Sequence, residues 1–532
     1  QTAVIDEKGN RSESEYNMMN QLVKVTAADP DGSGPLTSPV TSYGYDKNGN
    51  QVLMIDPLGR RTQYRYDSRN RLSETVNPDG NVEKMRYDAD NNQTASFDAK
   101  GNRTNKVYDA RGRLILEVDA SEKITRFEYD AANQLKAQVD ANNNRTENKY
   151  DELGRRTDVT EGATTAIAST SKTEYDKAGN VTAEIDGNNN KTQYVYDARN
   201  RQTKITDALT PSGTTTTEYD KVGNVLSITD PLQNKTSFTY DPKNRLKTET
   251  NQFNKTCSFE YDKANNRTKV TDRNNRVLSF TYDGLNRETA ENWLNANGNP
   301  IRSITSTYDA ASQLTSVTDP DSTYKFSYDA KGRQIGVDNT GTPGVPNVLL
   351  NYTYDSEDNL LSVSDTINGT PSGTTAYTYD ALNRVSRITQ SGNGVASKRV
   401  DFGYDNIGKI KSVNRYGDLS GTQLVRGTTY TYDAKNRLDV LSHGSGVSYD
   451  FDYDNANRIS KITDVDGFTN YTYDNNNQLT VADHSNTNKP DEGFSYDANG
   501  NRNSSGYQTG TNNRLNSDQY FGQFLSSEST IG

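Results

Sequence analysis

Apolar and polar positions alternate in short runs along almost the whole chain. In Thr192-Gln193-Tyr194-Val195-Tyr196-Asp197 the two tyrosines are two residues apart, which places them on one face of a strand. The same aromatic pair precedes aspartate at Tyr64/Tyr66, Phe127/Tyr129, Phe238/Tyr240, Phe259/Tyr261, Tyr377/Tyr379 and Phe494/Tyr496, among others. A second short run with aliphatic positions follows each, as in Leu72 to Val76 and Leu114 to Val118. Period two, together with aromatics and threonines, predicts strands and not helices.

The punctuation between these runs is as regular as the runs. Tyr-Asp recurs twenty-one times in register, from Tyr45-Asp46 to Tyr496-Asp497, and the copies are most often 21 residues apart. The residue three after the aspartate is glycine in eight copies and asparagine in eleven; only Ser312 and Asp358 depart. Gly and Asn tolerate positive φ, and an aspartate opening a turn accepts the N–H two residues on. The pattern predicts a three-residue hairpin loop ending in a left-handed residue, with the aspartate as a turn cap and not a catalytic acid. Gly179→Val should then cost roughly 1–3 kcal/mol, and Ala178→Val much less.

A second turn, such as Asp56-Pro57-Leu58-Gly59, Asn77-Pro78-Asp79-Gly80 or Asp98-Ala99-Lys100-Gly101, closes each unit. One unit is thus one hairpin, and self-similarity at a short fixed period marks stacked copies of one supersecondary element. About forty-two strands at roughly 4.8 Å give a ribbon of about 200 Å. Accumulated twist prevents such a sheet from lying flat. The predicted fold is all-β: a long antiparallel meander of about 21 hairpin repeats, coiled edge strand over edge strand into a hollow spiral shell or barrel. The repeat region runs from 1 to 510, begins in mid-repeat, and treats Tyr16-Asn17 as a variant Tyr-Asp; residues 511–532 form an irregular tail. A start in mid-repeat and without methionine fits a piece of a longer protein. Insertions at 26–40, 161–172, 208–216, 291–304, 338–350, 366–374, 390–399 and 415–428 are expected as surface loops.

Composition narrows the function. Hydrophobic residues make up 31% of the chain, too few for a solid globule, while aromatics in strict register argue against disorder. The net charge of −11, with no basic run, disfavours nucleic acid as a partner. No apolar run is long enough to span a bilayer. Cys257 is the single cysteine and lies two residues before Phe259, as a packing residue on the aromatic face; one thiol forms neither an intrachain disulfide nor a zinc cluster. His443 and His484 are the only histidines, expected in exposed loops with nothing to orient them as bases. Trp293 falls in an insertion, as a loop anchor or a contact residue. Neither calcium β-roll nor EF-hand spacing is present. No catalytic, cofactor or metal site is assigned, and the chain reads as no enzyme.

Units such as Tyr66-Asp67-Ser68-Arg69-Asn70-Arg71-Leu72 and Tyr175-Asp176-Lys177-Ala178-Gly179-Asn180 resemble the YD repeats of the Rhs family. That family includes Rhs toxins, the C component of insecticidal Tc toxins, bacterial wall-associated proteins and teneurins. The resemblance covers essentially residues 4–510. It implies a β-shell that holds a C-terminal effector of the parent chain in a secreted or cell-surface bacterial toxin, with a secretion or capping component as a further partner. The stretch Gly522-Gln523-Phe524-Leu525-Ser526 echoes the Gly-Arg-Phe-Leu-Ser core segment of the family toxins, without its Arg or the following Asp-Pro. The alternative is an extracellular adhesion or structural protein that uses the same wall as a spacer or a glycan-binding surface. A variable C-terminal domain in the parent gene supports the toxin, and an anchor supports the adhesin.

Overall fold

The computed structural model describes residues 2–32, 34–444, 446–504, 508–509 and 515–517. Among these there is no helix, and 44 strands belong to one sheet. The registered pairs join strands that follow one another in the chain, all antiparallel, as in Arg61–Tyr66 with Leu72–Val76 and then with Val82–Tyr87. The predicted meander is therefore the observed topology. Two compact units are distinguished within it. Unit 1 comprises Gln1–Thr125, Ser258–Tyr404 and Val413–Arg426; unit 2 comprises Arg126–Cys257, Asp405–Ser412 and Gly427–Gly532.

The Tyr-Asp hairpin has the predicted geometry. In the turn after Tyr196, Asp197 N–H donates to Arg201 O and Asn200 N–H donates to Asp197 O, both at 3.0 Å. Asn200 has φ 59°, and the register slips by one residue between Val195 and Tyr196. Every residue in the third position after the twenty-one aspartates has positive φ, including Ser312 and Asp358 at 63° each. The backbone demand thus overrides side-chain preference at those two copies. Gly179, at 94°, is a residue where a β-branched side chain would be strained. Tyr16-Asn17 opens the same turn, with Asn20 at φ 60° and Asn17 Oδ1 accepting the N–H of Met19 at 2.9 Å and of Gln21 at 3.0 Å. A further Tyr-Asp, Tyr449-Asp450, is out of register and lies within the strand Val447–Tyr453.

The interior is thin. Among the described residues the buried apolar side chains are Ala28, Ala95, Ala137, Ala163, Ala183, Phe280, Val413 and Ala482. Three of the alanines, Ala95, Ala137 and Ala183, hold the central position of a second strand and pair with long polar residues on both sides. Ala137 pairs with Glu128 on one side and Glu147 on the other, and Arg145 bonds both carboxylates at 2.7 Å.

Several expectations need correction. The insertions 291–304, 366–374 and 390–399 are lengthened strands: Glu288–Leu294 pairs with Pro300–Tyr308, Leu360–Ile367 with Thr370–Tyr379, and Val385–Gly392 with Val395–Tyr404. Asn368 and Gly369, at φ 49° and 80°, form the two-residue turn that an Asn-Gly pair favours, and Asn393-Gly394 closes the next hairpin. Trp293 consequently lies on a strand, with its indole N–H donating to Glu291 Oε1 at 2.7 Å. His443 and His484 end the strands Leu438–His443 and Leu479–His484, half-buried, and do not sit in loops. The tail from 518 onward, with Gly522 to Ser526, lies outside the described residues.

Stretches of the meander that meet again do so turn against turn, not edge strand over edge strand. A meander leaves only its first and last strands without a neighbour, so hairpin tips are the groups available for stacking.

Candidate functional site

The chemistry of the chain is concentrated in the Tyr-Asp turns. The aspartate carboxylate closes its own loop: Asp67 Oδ1 accepts Arg69 N–H at 2.8 Å and Arg71 N–H at 3.1 Å. Its Oδ2 takes the Arg71 guanidinium at 2.7 Å. The same arginine donates to Asp88 O of the next turn at 2.7 Å and stacks 4.7 Å over the ring of Tyr87. Arg201 repeats this with Asp197, Asp220 O and Tyr219, and Arg458 with Asp454, Asp474 O and Tyr473. Where asparagine replaces arginine, the ladder shortens: Asn50 Nδ2 bridges Asp46 Oδ2 and Asn70 Oδ1, both at 2.9 Å. The Arg71, Arg113 and Arg201 side chains, followed by backbone N–H donors, hold Asp67, Asp109 and Asp197 down to about 2.

The tyrosine hydroxyl has an equally fixed task. In at least eighteen copies among the described residues it donates to a main-chain carbonyl of the preceding unit, as Tyr66 to Gln51 O at 2.9 Å, Tyr196 to Val181 O at 2.8 Å and Tyr453 to Leu438 O at 2.7 Å. The acceptor is the residue that opens the second strand beside the bulge. Sequence reasoning missed this bond, although a signal was present. The first aromatic of each pair is Phe or Tyr, whereas the second is always Tyr. Burial pushes the Tyr66, Tyr196 and Tyr453 phenols upward, which keeps them donors.

Within unit 1, second turns of residues 6–101 meet Tyr-Asp turns of residues 262–383. Lys8 pairs with Asp262 at 3.4 Å, Asp79 with Lys331 at 3.8 Å and Arg333 at 3.9 Å, and Lys100 with Asp355 at 2.6 Å. Gly284 N–H donates to Pro30 O at 2.7 Å, and a Cβ on Gly284 would lie 2.1 Å from Asp29 O. The insertion 26–40 is thus part of this seam. Within unit 2 the same kind of seam uses amides. Asn436 donates to Asp140 at 2.7 Å, Asn476 to Asp207 at 3.0 Å and Asn499 to Asp230 at 2.6 Å. A Cβ on Gly187 would lie 1.9 Å from Asn455 O. Lys435, almost fully buried, reaches Ser169 and lies 4.0 Å from Glu161; burial lowers its amine.

The singled-out residues do not converge on a reactive centre. His443 Nδ1 meets Thr428 Oγ1 at 3.0 Å, with the Tyr449 ring edge-on, and His484 Nδ1 meets Thr469 Oγ1 at 2.9 Å. Each threonine is the registered cross-strand partner of its histidine. Cys257 is half-buried on the strand Thr256–Tyr261. Among the described residues no group of three His, Cys, Asp or Glu is placed to hold a metal ion.

The model of the RHS Repeat family matches residues 45–82, 108–146, 129–166, 175–215, 219–254, 261–292, 308–342 and 354–396, together just over half of the chain. The chain belongs to the RHS repeat family. No curated protein matches it. Among solved structures, the RHS chain is similar to TcdB2-TccC3-TEV at 14% identity and a TM-score of 0.68, over 92% of this chain and 30% of that one. It is also similar to TcdB2-TccC3-Cdc42 (12% identity, TM-score 0.55, 92% and 32% covered) and to TcdB2-TccC3 without its hypervariable C-terminal region (11%, 0.55, 93% and 32%). The shared property is the RHS fold, and the chain spans about a third of the length of these structures.

Proposed function

We propose that this chain is a non-catalytic wall segment of a secreted or surface-exposed Rhs-type bacterial toxin, and that the wall encloses or presents a C-terminal effector. The observation that carries the reading is a wall without a core: a single antiparallel sheet whose few buried apolar side chains are mostly alanine. A sheet of this length with so little to pack has no use for its area except to surround or carry something. Membership in the RHS repeat family and the fold shared with TcdB2-TccC3 support it. The chemistry in the turns points the same way, since the Asp, Arg and Tyr side chains are consumed in holding one hairpin to the next.

Small-angle scattering of the purified chain tests the enclosure. A pair-distance distribution skewed to long distances, with a low-density centre, is the expected result. A solid sphere of the volume appropriate to 59.1 kDa would sink it.

A further inference from the structure

Lys331 and Lys435 hold the same place in the repeat, two residues after Asp329 and Asp433. In unit 1 the Lys331 amine reaches Asp358, three residues after the next Tyr-Asp aspartate, at 2.5 Å. Arg333 donates to the same carboxylate at 2.7 Å. In unit 2 the equivalent residues are Lys435, Arg437 and Asn457. Arg437 donates to Asn457 Oδ1 at 2.9 Å, as Arg333 does to Asp358, but an amide stands where the carboxylate was.

Lys435 is thereby left buried without a close counter-ion. Its side chain is 1% exposed, and its amine donates to Ser169 Oγ and lies 4.0 Å from Glu161 Oε2. Glu161 and Ser169 are registered cross-strand partners, so one hairpin supplies both contacts. Gly162, at φ 60°, makes room for the lysine stem, since a Cβ there would lie 2.8 Å from Lys435 Cγ. An ammonium in such a place is costly, and burial, followed by Arg437, lowers the amine.

The Glu161 oxygen beside that amine also accepts Asn457 Nδ2, at 2.8 Å. We propose that Lys435 and Asn457 join in an intramolecular isopeptide bond, with Glu161 as proton carrier and Arg437 as oxyanion donor. The neutral Nζ attacks Asn457 Cγ, and Oδ1 takes up negative charge against the Arg437 guanidinium. Glu161 removes a proton from Nζ and delivers it to Nδ2. The oxyanion collapses to a carbonyl, the Cγ–Nδ2 bond breaks, and ammonia leaves. No further reactant is needed. Arg437 is held for the task by Asp433 at 2.7 Å and by the ring of Tyr453 at 4.3 Å. The event occurs once per chain and ties two neighbouring hairpin tips at the seam. Lys331 shows the reach, and it also shows why the bond is confined to unit 2. Facing Asp358 and Asp79, it stays an ammonium and has no lone pair to attack with.

Mass spectrometry of tryptic peptides from the purified chain reads the bond. Trypsin does not cut after an acylated lysine. The expected product is a branched peptide joining residues 427–437 to residues 438–458, one ammonia lighter than its two parts. Locating the loss separates it from cyclisation of Gln1, which also releases ammonia. Glu161→Gln and Lys435→Arg should each abolish the branched peptide while the circular dichroism of the sheet is retained. Unlinked peptides 427–435 and 438–458 from the folded natural chain overturn the proposal. A link formed equally in Glu161→Gln, or one of equal yield between Lys331 and Asp358, overturns it as well, since proximity alone would then explain the bond.

Discussion

The Tyr-Asp turns before residue 250 and those after residue 260 have one local structure and two different surroundings. In all ten early turns, from Asp46 to Asp241, the three residues after the aspartate are exposed. In all eleven later turns, from Asp262 to Asp497, the middle one of those three is half-buried. Aspartate cap, positive-φ residue and tyrosine clamp are the same in both sets. The difference teaches that the hairpin is a local product, whereas the seam is made by two or three tip residues that the hairpin leaves over. It also explains where the irregularities fall. The later second turns lie outside the observed seams, and there the hairpins lengthen freely, as at Asn368-Gly369 and Asn393-Gly394. The early second turns lie in the seams, and their insertions are docked, as Pro30 is on Gly284.

Acid should erase the comparison by removing what the two sets share. With Asp67, Asp109 and Asp197 at about 2 when folded and near 3.9 when unfolded, their contribution is complete above about pH 4. It is lost as pH falls from about 4 through about 2. Circular dichroism should show cooperative loss of the sheet across that window at low salt; a sheet intact at pH 2 would mean the carboxylate caps are dispensable.

Next in size are the seam glycines. Gly284→Ala and Gly187→Ala drive a methyl into a backbone carbonyl and should cost about 2–3 kcal/mol in urea unfolding. The larger change Ala110→Val, at the position of an early Tyr-Asp turn that corresponds to Gly284, should stay within about 0.5 kcal/mol. Equal costs would dissolve the distinction between the two sets.

The tyrosine clamp should ignore the distinction. Tyr196→Phe in an early turn and Tyr453→Phe in a later one each strand a carbonyl, at about 1 kcal/mol apiece. A clear inequality between them would show that the seam strengthens the clamp.

The smallest effect belongs to the charged seam pairs. Lys331→Gln removes a half-buried partner of Asp79 and should cost below about 1 kcal/mol, an effect that shrinks in high salt. Lys177→Gln should be neutral in the isolated chain. Hydrogen exchange at the Asp79 and Asp329 turns separates the two.

Much of this was legible without coordinates. The Gly or Asn three after each aspartate forces a left-handed residue, and even Ser312 and Asp358 comply because hydrogen bonds within five residues fix the loop. The invariant second tyrosine also announced a hydroxyl with a partner, since Phe replaces only the first. Two readings fell short for local reasons. Asn368-Gly369 reads as loop because the flanking Thr and Ser are polar, yet those residues alternate as a strand does. His443 and His484 sit near glycine and asparagine, yet each is the cross-strand partner of a threonine.

The amino-acid sequence by itself determined the hairpin, its bulge, its caps and the meander, because each depends on groups within about one repeat. Only the tertiary structure decided which turns meet. Arg60 bonds Gln313, 253 residues on, in unit 1, and Asn499 bonds Asp230, 269 residues back, in unit 2. Only it could show that Gly284 and Gly187 are needed for close approach rather than for positive φ. Those distances depend on the twist added by each successive strand, a small angle that no local pattern specifies and that acts only through its sum.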